Sequence, residues 1–185
     1  MTTAVQPFSG TYVNDPVHSS FGFAVRYSGI SDYRGTLDDV RATLTAGDGG
    51  LLLEGAALAE SISIQDPPEL RAHVLGPEFF DVERHPDVSF RSSRVELSDD
   101  GSAHVGGELT IRGITRPVVA TGTWTEPGPA PGGSSKAGLA LETTFDRRDF
   151  GFDWQMELPG GGGALDWQVT LAVNLVLVEA DQAAG

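Results

Sequence analysis

Hydrophobic and polar residues alternate with a period of two in long stretches near both ends of the chain. Phe21, Phe23, Val25 and Tyr27 fall on one face of a segment whose other face reads Ser20, Gly22, Ala24 and Arg26. Trp167, Val169, Leu171, Val173, Leu175 and Leu177 repeat the pattern close to the C-terminus. Successive side chains of a strand point to opposite sides, so each stretch is a strand with one apolar face that must cover a core or an apolar guest. Function then belongs to an interior rather than to an exposed motif.

Further strand-like segments run from Gly10 to Asn14, His18 to Ser28, Tyr33 to Ala46, Leu51 to Ile64, Val88 to Leu97, Ser102 to Ile111, Pro117 to Glu126, Ala137 to Phe145 and Asp166 to Val178. Glycine, proline and aspartate punctuate the gaps between them. Hairpin signals at Gly47-Asp48-Gly49-Gly50 and Asp99-Asp100-Gly101 argue for an up-and-down antiparallel sheet of about eight strands. Closing such a sheet into a barrel removes its edges and leaves an interior wide enough for side chains or one small ligand. Two packed sheets would show the same alternation, so the pattern alone leaves a sandwich open.

One helix stands out between strands. Asp66 is placed to cap it, Pro67 and Pro68 fit its first turn, Glu69 completes an Asp-x-x-Glu box, and Gly76-Pro77 ends it. The natural place for this excursion is across an open end of the barrel, with Leu70, Val74, Leu75 and Phe80 turned inward as a plug or a gate. The glycine-rich stretches Glu126 to Ser135 and Pro159 to Gly163 read as flexible connections. Gly160-Gly161-Gly162-Gly163 lacks the Lys-Ser/Thr pair and following helix of a phosphate cradle.

The 185 residues suit a single domain over 1–185 with a core from about 10 to 179, and no composition shift divides them. Twelve Lys plus Arg against 26 Asp plus Glu give a net charge of −14, which repels phosphate backbones and anionic bilayers at long range. Nucleic acid is therefore not an expected partner. The absence of cysteine excludes disulfides, thiolate nucleophiles and cysteine-bound metals. With no basic and apolar leader in MTTAVQPFSG and no apolar run of membrane-spanning length, a soluble cytoplasmic protein without stable membrane insertion is expected.

Candidate chemistry is sparse. His18, His73, His85 and His104 lie in four different segments without ligand spacing, so no metal site is expected. Asp15, Asp81 or Asp149 could orient a histidine base, yet nothing in the sequence brings such groups together. No Gly-x-Ser-x-Gly elbow is present. Asp146-Arg147-Arg148-Asp149, followed by Phe150-Gly151-Phe152, is either a strand terminus laced with ion pairs or a basic contact for an anionic head group at a barrel mouth.

From Tyr12 to Val178 the chain resembles the YceI-like family, lipocalin-like barrels that bind polyisoprenoid and related amphiphilic lipids. The resemblance is carried by Tyr12-Val13-Asn14-Asp15 with His18-Ser19-Ser20-Phe21-Gly22-Phe23, then Arg34-Gly35, Ser61-Ile62, Phe79-Phe80-Asp81 with His85-Pro86, and Phe90. It continues through Gly107-Glu108-Leu109-Thr110-Ile111, Gly113-Ile114-Thr115-Arg116-Pro117-Val118 and Arg148-Asp149-Phe150-Gly151. It implies an all-β, antiparallel up-and-down eight-stranded lipocalin-like barrel with a short helical insert.

It also implies an elongated apolar tunnel for an isoprenoid, quinone-like or other amphiphilic lipid, held for transport, storage or presentation without a cofactor. Inward alternation nominates Phe21, Phe23, Val25, Phe80, Phe90, Phe145, Trp167 and Leu171 as its lining, with His18, Tyr27, Arg148 and Asp149 as polar or head-group contacts. Homodimer formation through a sheet edge or a loop is compatible with the family. Two departures fall at the polar end: Tyr27 stands where the family often has His, and Leu70-Arg71 where it often has Arg-Asp, although His73 is kept. They leave the head group open. They also leave room for an enzyme, a cyclase or isomerase acting on a small hydrophobic substrate through His18, Tyr27 or Asp149, or for an interaction module with a filled interior.

Overall fold

The computed structural model describes residues 2–181. Its strands are β1 (Ala4–Val5), β2 (Gly10–Asn14), β3 (Ser20–Tyr27), β4 (Ser31–Thr36), β5 (Val40–Gly47), β6 (Gly50–Leu58), β7 (Asp87–Ser98), β8 (Ser102–Ile111), β9 (Ile114–Pro129), β10 (Ser135–Asp146) and β11 (Leu165–Glu179), with helix α1 (Pro68–Leu75) between β6 and β7. Antiparallel pairing runs without a gap through β2, β5, β6, β7, β8, β9, β10 and β11 and returns to β2, closing an eight-stranded barrel. The long β11 serves two partners along one edge. It pairs with β3 from Leu165 to Asn174 and with β2 from Leu177 to Glu179. β2 and β3 thus form one broken wall, interrupted by the turn after Asp15.

A single serine accounts for two departures from the sequence reading. The expected strand from Tyr33 to Ala46 breaks between β4 and β5, and the expected strand from Leu51 to Ile64 stops at Leu58 and enters a 3-10 turn at Ala59–Ser61. In that turn Ser61 Oγ accepts the N–H groups of Asp38 (3.0 Å) and Asp39 (2.9 Å) and donates to the Leu58 carbonyl (2.6 Å). Its hydroxyl takes over the backbone donors that a continuous ladder would have used. The wall resumes at the bridge from Leu37 to Ile62.

The helix is also capped differently from expectation. Pro67, not Asp66, occupies the N-cap position, no side chain caps the first turn, and Glu69 is then one position short of a capping box. Gly76 ends it as anticipated. No helix among the described residues is long and apolar enough to cross a membrane.

Packing divides the barrel into two regions. At the end that carries the β5–β6 and β7–β8 hairpins, Phe8, Leu44, Leu97, Val105 and Leu177 are almost wholly buried in one cluster. Phe8 lies before the expected start of the core and packs edge-on to Tyr12 at 5.0 Å. The second cluster, around Ile62, Val88, Ile111, Phe150 and Phe152, surrounds the end covered by α1.

Aromatic rings dictate two glycines. The Phe23 ring lies over Gly35, its cross-strand partner, where a Cβ would collide with it. At Gly107, opposite the irregularity between Ser92 and Arg94, a Cβ would meet Phe90 Cζ at 2.6 Å and Ser92 Cα at 2.7 Å. Glycine here makes room for a close backbone approach and an inward ring. At the far end of β10, Lys136 Nζ and His18 Nδ1 converge on Asp15 Oδ2 at 2.7 and 2.9 Å, tying the β2–β3 turn to the closing strands. Lys136, and then His18, hold the Asp15 carboxyl far below its ordinary 3.8.

Two outcomes follow. Gly107→Ala should lower unfolding free energy by about 2 kcal/mol or more in urea titration, since neither the Ser92 backbone nor the Phe90 ring can retreat. Gly106→Ala, with open space around its Cβ, should stay within about 0.5 kcal/mol. Because the folded-state carboxyl of Asp15 titrates below its unfolded value, its contribution is complete above that value and is lost as pH falls. Melting temperature should therefore drop from about pH 5 to about pH 2, and Asp15→Asn should flatten that drop.

Candidate functional site

An eight-stranded barrel is filled when its inward residues are large, and empty space remains where they are small or stand apart. Two such spaces have predominantly apolar walls; two others, about 470 Å³ beside Arg41, Glu54, Arg91 and Glu108 and about 280 Å³ at the break between β2 and β3, have mixed walls and share residues with the smaller apolar one. A cavity of about 270 Å³ lies beneath α1, between β3, β10 and β11, and a second of about 90 Å³ lies further up the axis, where Ala42, Ala56, Ala57 and Ala120 contribute short side chains.

β3 and β11 build the larger cavity directly. Phe23 and Val25 project into it from β3, and Val169 and Leu171, their register partners among β11 residues, complete that side. Phe145 enters from β10 with its ring edge-on to the buried Phe150 at 4.9 Å. The roof comes from α1 and the turn after it, through Leu70, Val74, Phe79 and Phe80. Phe80 meets Phe152 edge-on at 5.3 Å, and Phe79 packs on Trp154 at 5.4 Å. Tyr27, half exposed, stands with Tyr33 at the rim.

The nominated residues divide accordingly. Phe23, Val25, Phe80, Phe145 and Leu171 line the larger cavity with Tyr27, while Phe21 and Phe90 line the smaller one together with Leu171. Trp167, expected in the lining, is in neither wall. The β11 register shifts between Leu165 and Val169, taking Trp167 out of the alternation. Its ring instead receives the guanidinium groups of Arg147 at 4.3 Å and Arg148 at 4.6 Å.

Among the proposed polar contacts, only Tyr27 touches a cavity. His18 is exposed and engaged with Asp15. Arg148 is paired with Asp146 at 2.5 Å, an interaction that holds the aspartate down at about 2. Asp149 is exposed in the 3-10 turn Arg147–Phe150 and is not part of either wall. None of these three lines either apolar cavity.

The polar residue that borders the larger cavity at depth is Arg147, which the sequence reading named within the Asp146–Asp149 cluster but did not single out. Arg147 is 4 % exposed, and its hydrogen bonds among the described residues go to backbone carbonyls. Its Nε donates to the Asp166 carbonyl (2.9 Å), Nη1 to those of Phe152 (2.7 Å) and Trp154 (2.8 Å), and Nη2 to that of Leu165 (3.3 Å). Burial pushes its basicity down, yet the side chain remains cationic because guanidinium starts so high. By satisfying four carbonyls it fixes the segment 151–165 beneath the barrel. His73 also reaches the wall, with Nε2 2.7 Å from Glu78 and its ring edge-on to Phe79 and Trp154. Of the missed apolar lining, Tyr33 carried a usable signal, since it pairs with Val25 across the hairpin.

The cavity thus offers a largely carbon surface roofed by a short helix, with Tyr27 and Tyr33 at its rim and Arg147 and His73 engaged in hydrogen bonds. Such a surface suits a chain of hydrocarbon. Comparison with known proteins gives a consistent picture. A model of the YceI-like domain matches residues 12–177. A UPF0312 protein of Pseudomonas putida is 30 % identical over 133 residues, covering 72 % of this chain and 67 % of that one. Among solved structures, Burkholderia cenocepacia BcnA superposes with a TM-score of 0.72 at 17 % identity, over 88 % of this chain and 98 % of that one. A polyisoprenoid binding domain from Saccharophagus degradans, implicated in plant cell wall breakdown, gives 0.64 at 10 % identity, over 91 % and 98 % of the two chains. These two share the fold. The expected barrel and the match across residues 12–177 agree, and the chain belongs to the YceI-like family.

Proposed function

We propose that this protein binds the hydrocarbon part of an isoprenoid, quinone-like or other amphiphilic lipid in the cavity beneath α1, for transport, storage or presentation. The observation that carries the reading is the cavity of about 270 Å³ whose wall is aromatic and aliphatic and whose nearest cation is already saturated by carbonyls. A polar substrate would forfeit its hydration there without recovering hydrogen bonds. A polyisoprenoid binding domain among the structural neighbours points the same way. Burying about ten methylene equivalents gives roughly 8 kcal/mol, near micromolar affinity before ordering costs. That affinity suits a cargo that has to be released.

The test uses purified protein. Its organic-solvent extract should contain a prenyl or related lipid by mass spectrometry, and stripped protein should take up added prenyl alcohol. Val25→Phe, which fills the cavity, should weaken uptake at least tenfold and leave the melting temperature unchanged or higher. Lipid-free extracts combined with no uptake would defeat the proposal.

A further inference from the structure

We infer that the break between β2 and β3 is a side mouth of the barrel, where Asp38 holds the alcohol or amine head group of an amphiphile whose chain runs inward past Phe21 and Leu175. The inference rests on the lipid-binding reading and adds to it an opening and a head-group class. The opening follows from where pairing stops. β2 pairs with β5 only as far as Val13 with Thr43, and β3 pairs with β4 and β11 instead. On the side away from β6, the stretch of β5 from Val40 to Ala42 therefore has no strand beside it. Asn14 stands in for one: its Nδ2 donates to the Val40 carbonyl (3.1 Å) and its Oδ1 accepts the Ala42 N–H (2.8 Å). One amide side chain satisfies the backbone there without closing the wall. The gap so left is the space of about 280 Å³ between the β2–β3 turn and the chain from Thr36 to Val40. Phe21, Val40 and Leu175 line both this space and the smaller apolar one, so the two adjoin. The space of about 470 Å³ also shares residues with the interior, but it lies against β6 and β7, which stay paired from Glu54 with Arg91 to Leu58 with Asp87. There the wall is unbroken.

The polar groups at this mouth favour a guest that donates hydrogen bonds. Ser19 Oγ accepts the Val176 N–H (3.0 Å) and donates to the Val176 carbonyl (3.4 Å), and Thr36 Oγ1 donates to Asp38 Oδ1 (2.7 Å). Both hydroxyl protons are thus committed within the protein. Asp38 is exposed, and its Oδ2 has no hydrogen-bond partner among the described residues. Neither Lys nor Arg lines the space. A phosphate or carboxylate head group would meet a like charge there with no cation to offset it. A hydroxyl or ammonium would instead complete a charge-assisted hydrogen bond to Asp38, with the apolar side chains of Phe21, Val40 and Leu175 behind it for the first carbons of the chain.

The experiment measures dissociation constants of geraniol, geranylamine and geranyl phosphate, which share one hydrocarbon tail, by calorimetry on stripped protein. A hydrogen bond to a charged group is worth about tenfold in affinity or more, so the wild type should bind geranylamine at least about tenfold more tightly than geranyl phosphate, with geraniol between them. Asp38→Asn should cut the amine-to-phosphate ratio at least about fivefold. Asp48→Asn, which removes the same charge at the tip of the β5–β6 hairpin, should leave the ratio within about twofold and so separates the site from the overall negative charge. Melting curves check that both variants are folded. A wild-type ratio near one, or equal responses to the two substitutions, overturns the head-group site. In crystals of the wild-type complex with geranylamine, the nitrogen should lie within hydrogen-bond distance of an Asp38 carboxylate oxygen. A nitrogen found elsewhere, beneath α1 included, overturns the side mouth and leaves the lipid-binding reading standing. Binding of none of the three probes removes that reading, and this inference with it.

Discussion

The seam between β10 and β11 is the constraint on which the rest depends. Eleven consecutive register pairs, from Lys136 with Val178 to Asp146 with Gln168, join the last two strands and turn an open sheet into a barrel. Without it two edges would be exposed and the inward residues would face water. With it, inward positions of β11 are assigned depths: Val169 beside the cavity beneath α1, Leu171 in the walls of both apolar spaces, Val173 and Leu175 along the smaller one, and Leu177 inside the packed cluster. Strand alternation thereby becomes an axial coordinate, and side-chain size at each depth decides whether the interior is full or hollow.

That coordinate explains what the sequence disclosed. Alternation from Phe21 to Tyr27 and from Val169 to Leu177 is a property of each strand by itself, so the apolar wall could be read before any pairing was known. Trp167 could not be placed this way, because the irregularity that displaces it depends on the register of β11 against β3. Ser61 was equally opaque. Its effect on β4 and β5 acts across a sequence separation of more than twenty residues, through one hydroxyl accepting two backbone N–H groups. Phe8 precedes every long alternating run, and its burial comes from contact with Tyr12 and Trp124 rather than from local pattern.

Charged residues were the hardest to read, because a charge in sequence carries no information about what satisfies it. Arg147 and Arg148 are neighbours with the same side chain and opposite fates. Arg148 projects outward to Asp146, while Arg147 turns in and is solvated by the carbonyls of Phe152, Trp154, Leu165 and Asp166. The 3-10 turn, closed by Gly151 in the left-handed region at φ 77°, separates their directions. A buried guanidinium satisfied by backbone acceptors organises a loop without presenting a free charge to the cavity.

The same device fastens the roof. Helix α1 has no fully buried residue and no side-chain cap, so its own packing and propensity hold it weakly. Arg71 compensates by donating to the carbonyls of Ile62 (3.1 Å), Ile64 (2.9 Å) and Glu60 (2.8 Å), and Arg112 bridges the carbonyls of Pro77 (2.5 Å) and Gly151 (2.6 Å). Arg71 is one of the two departures from the family pattern, and its position identifies it as a fastening of the lid rather than a contact in the cavity. Two guanidinium clamps on an otherwise lightly packed helix concentrate the lid's attachment in a few polar bonds at its margins. Those bonds are polar and marginal, whereas Leu70 and Val74 face the cavity beneath the helix. Helix and cavity therefore form one energetic unit: on the lipid-binding proposal, hydrocarbon in the space would stabilise the helix by supplying the burial that its own packing lacks.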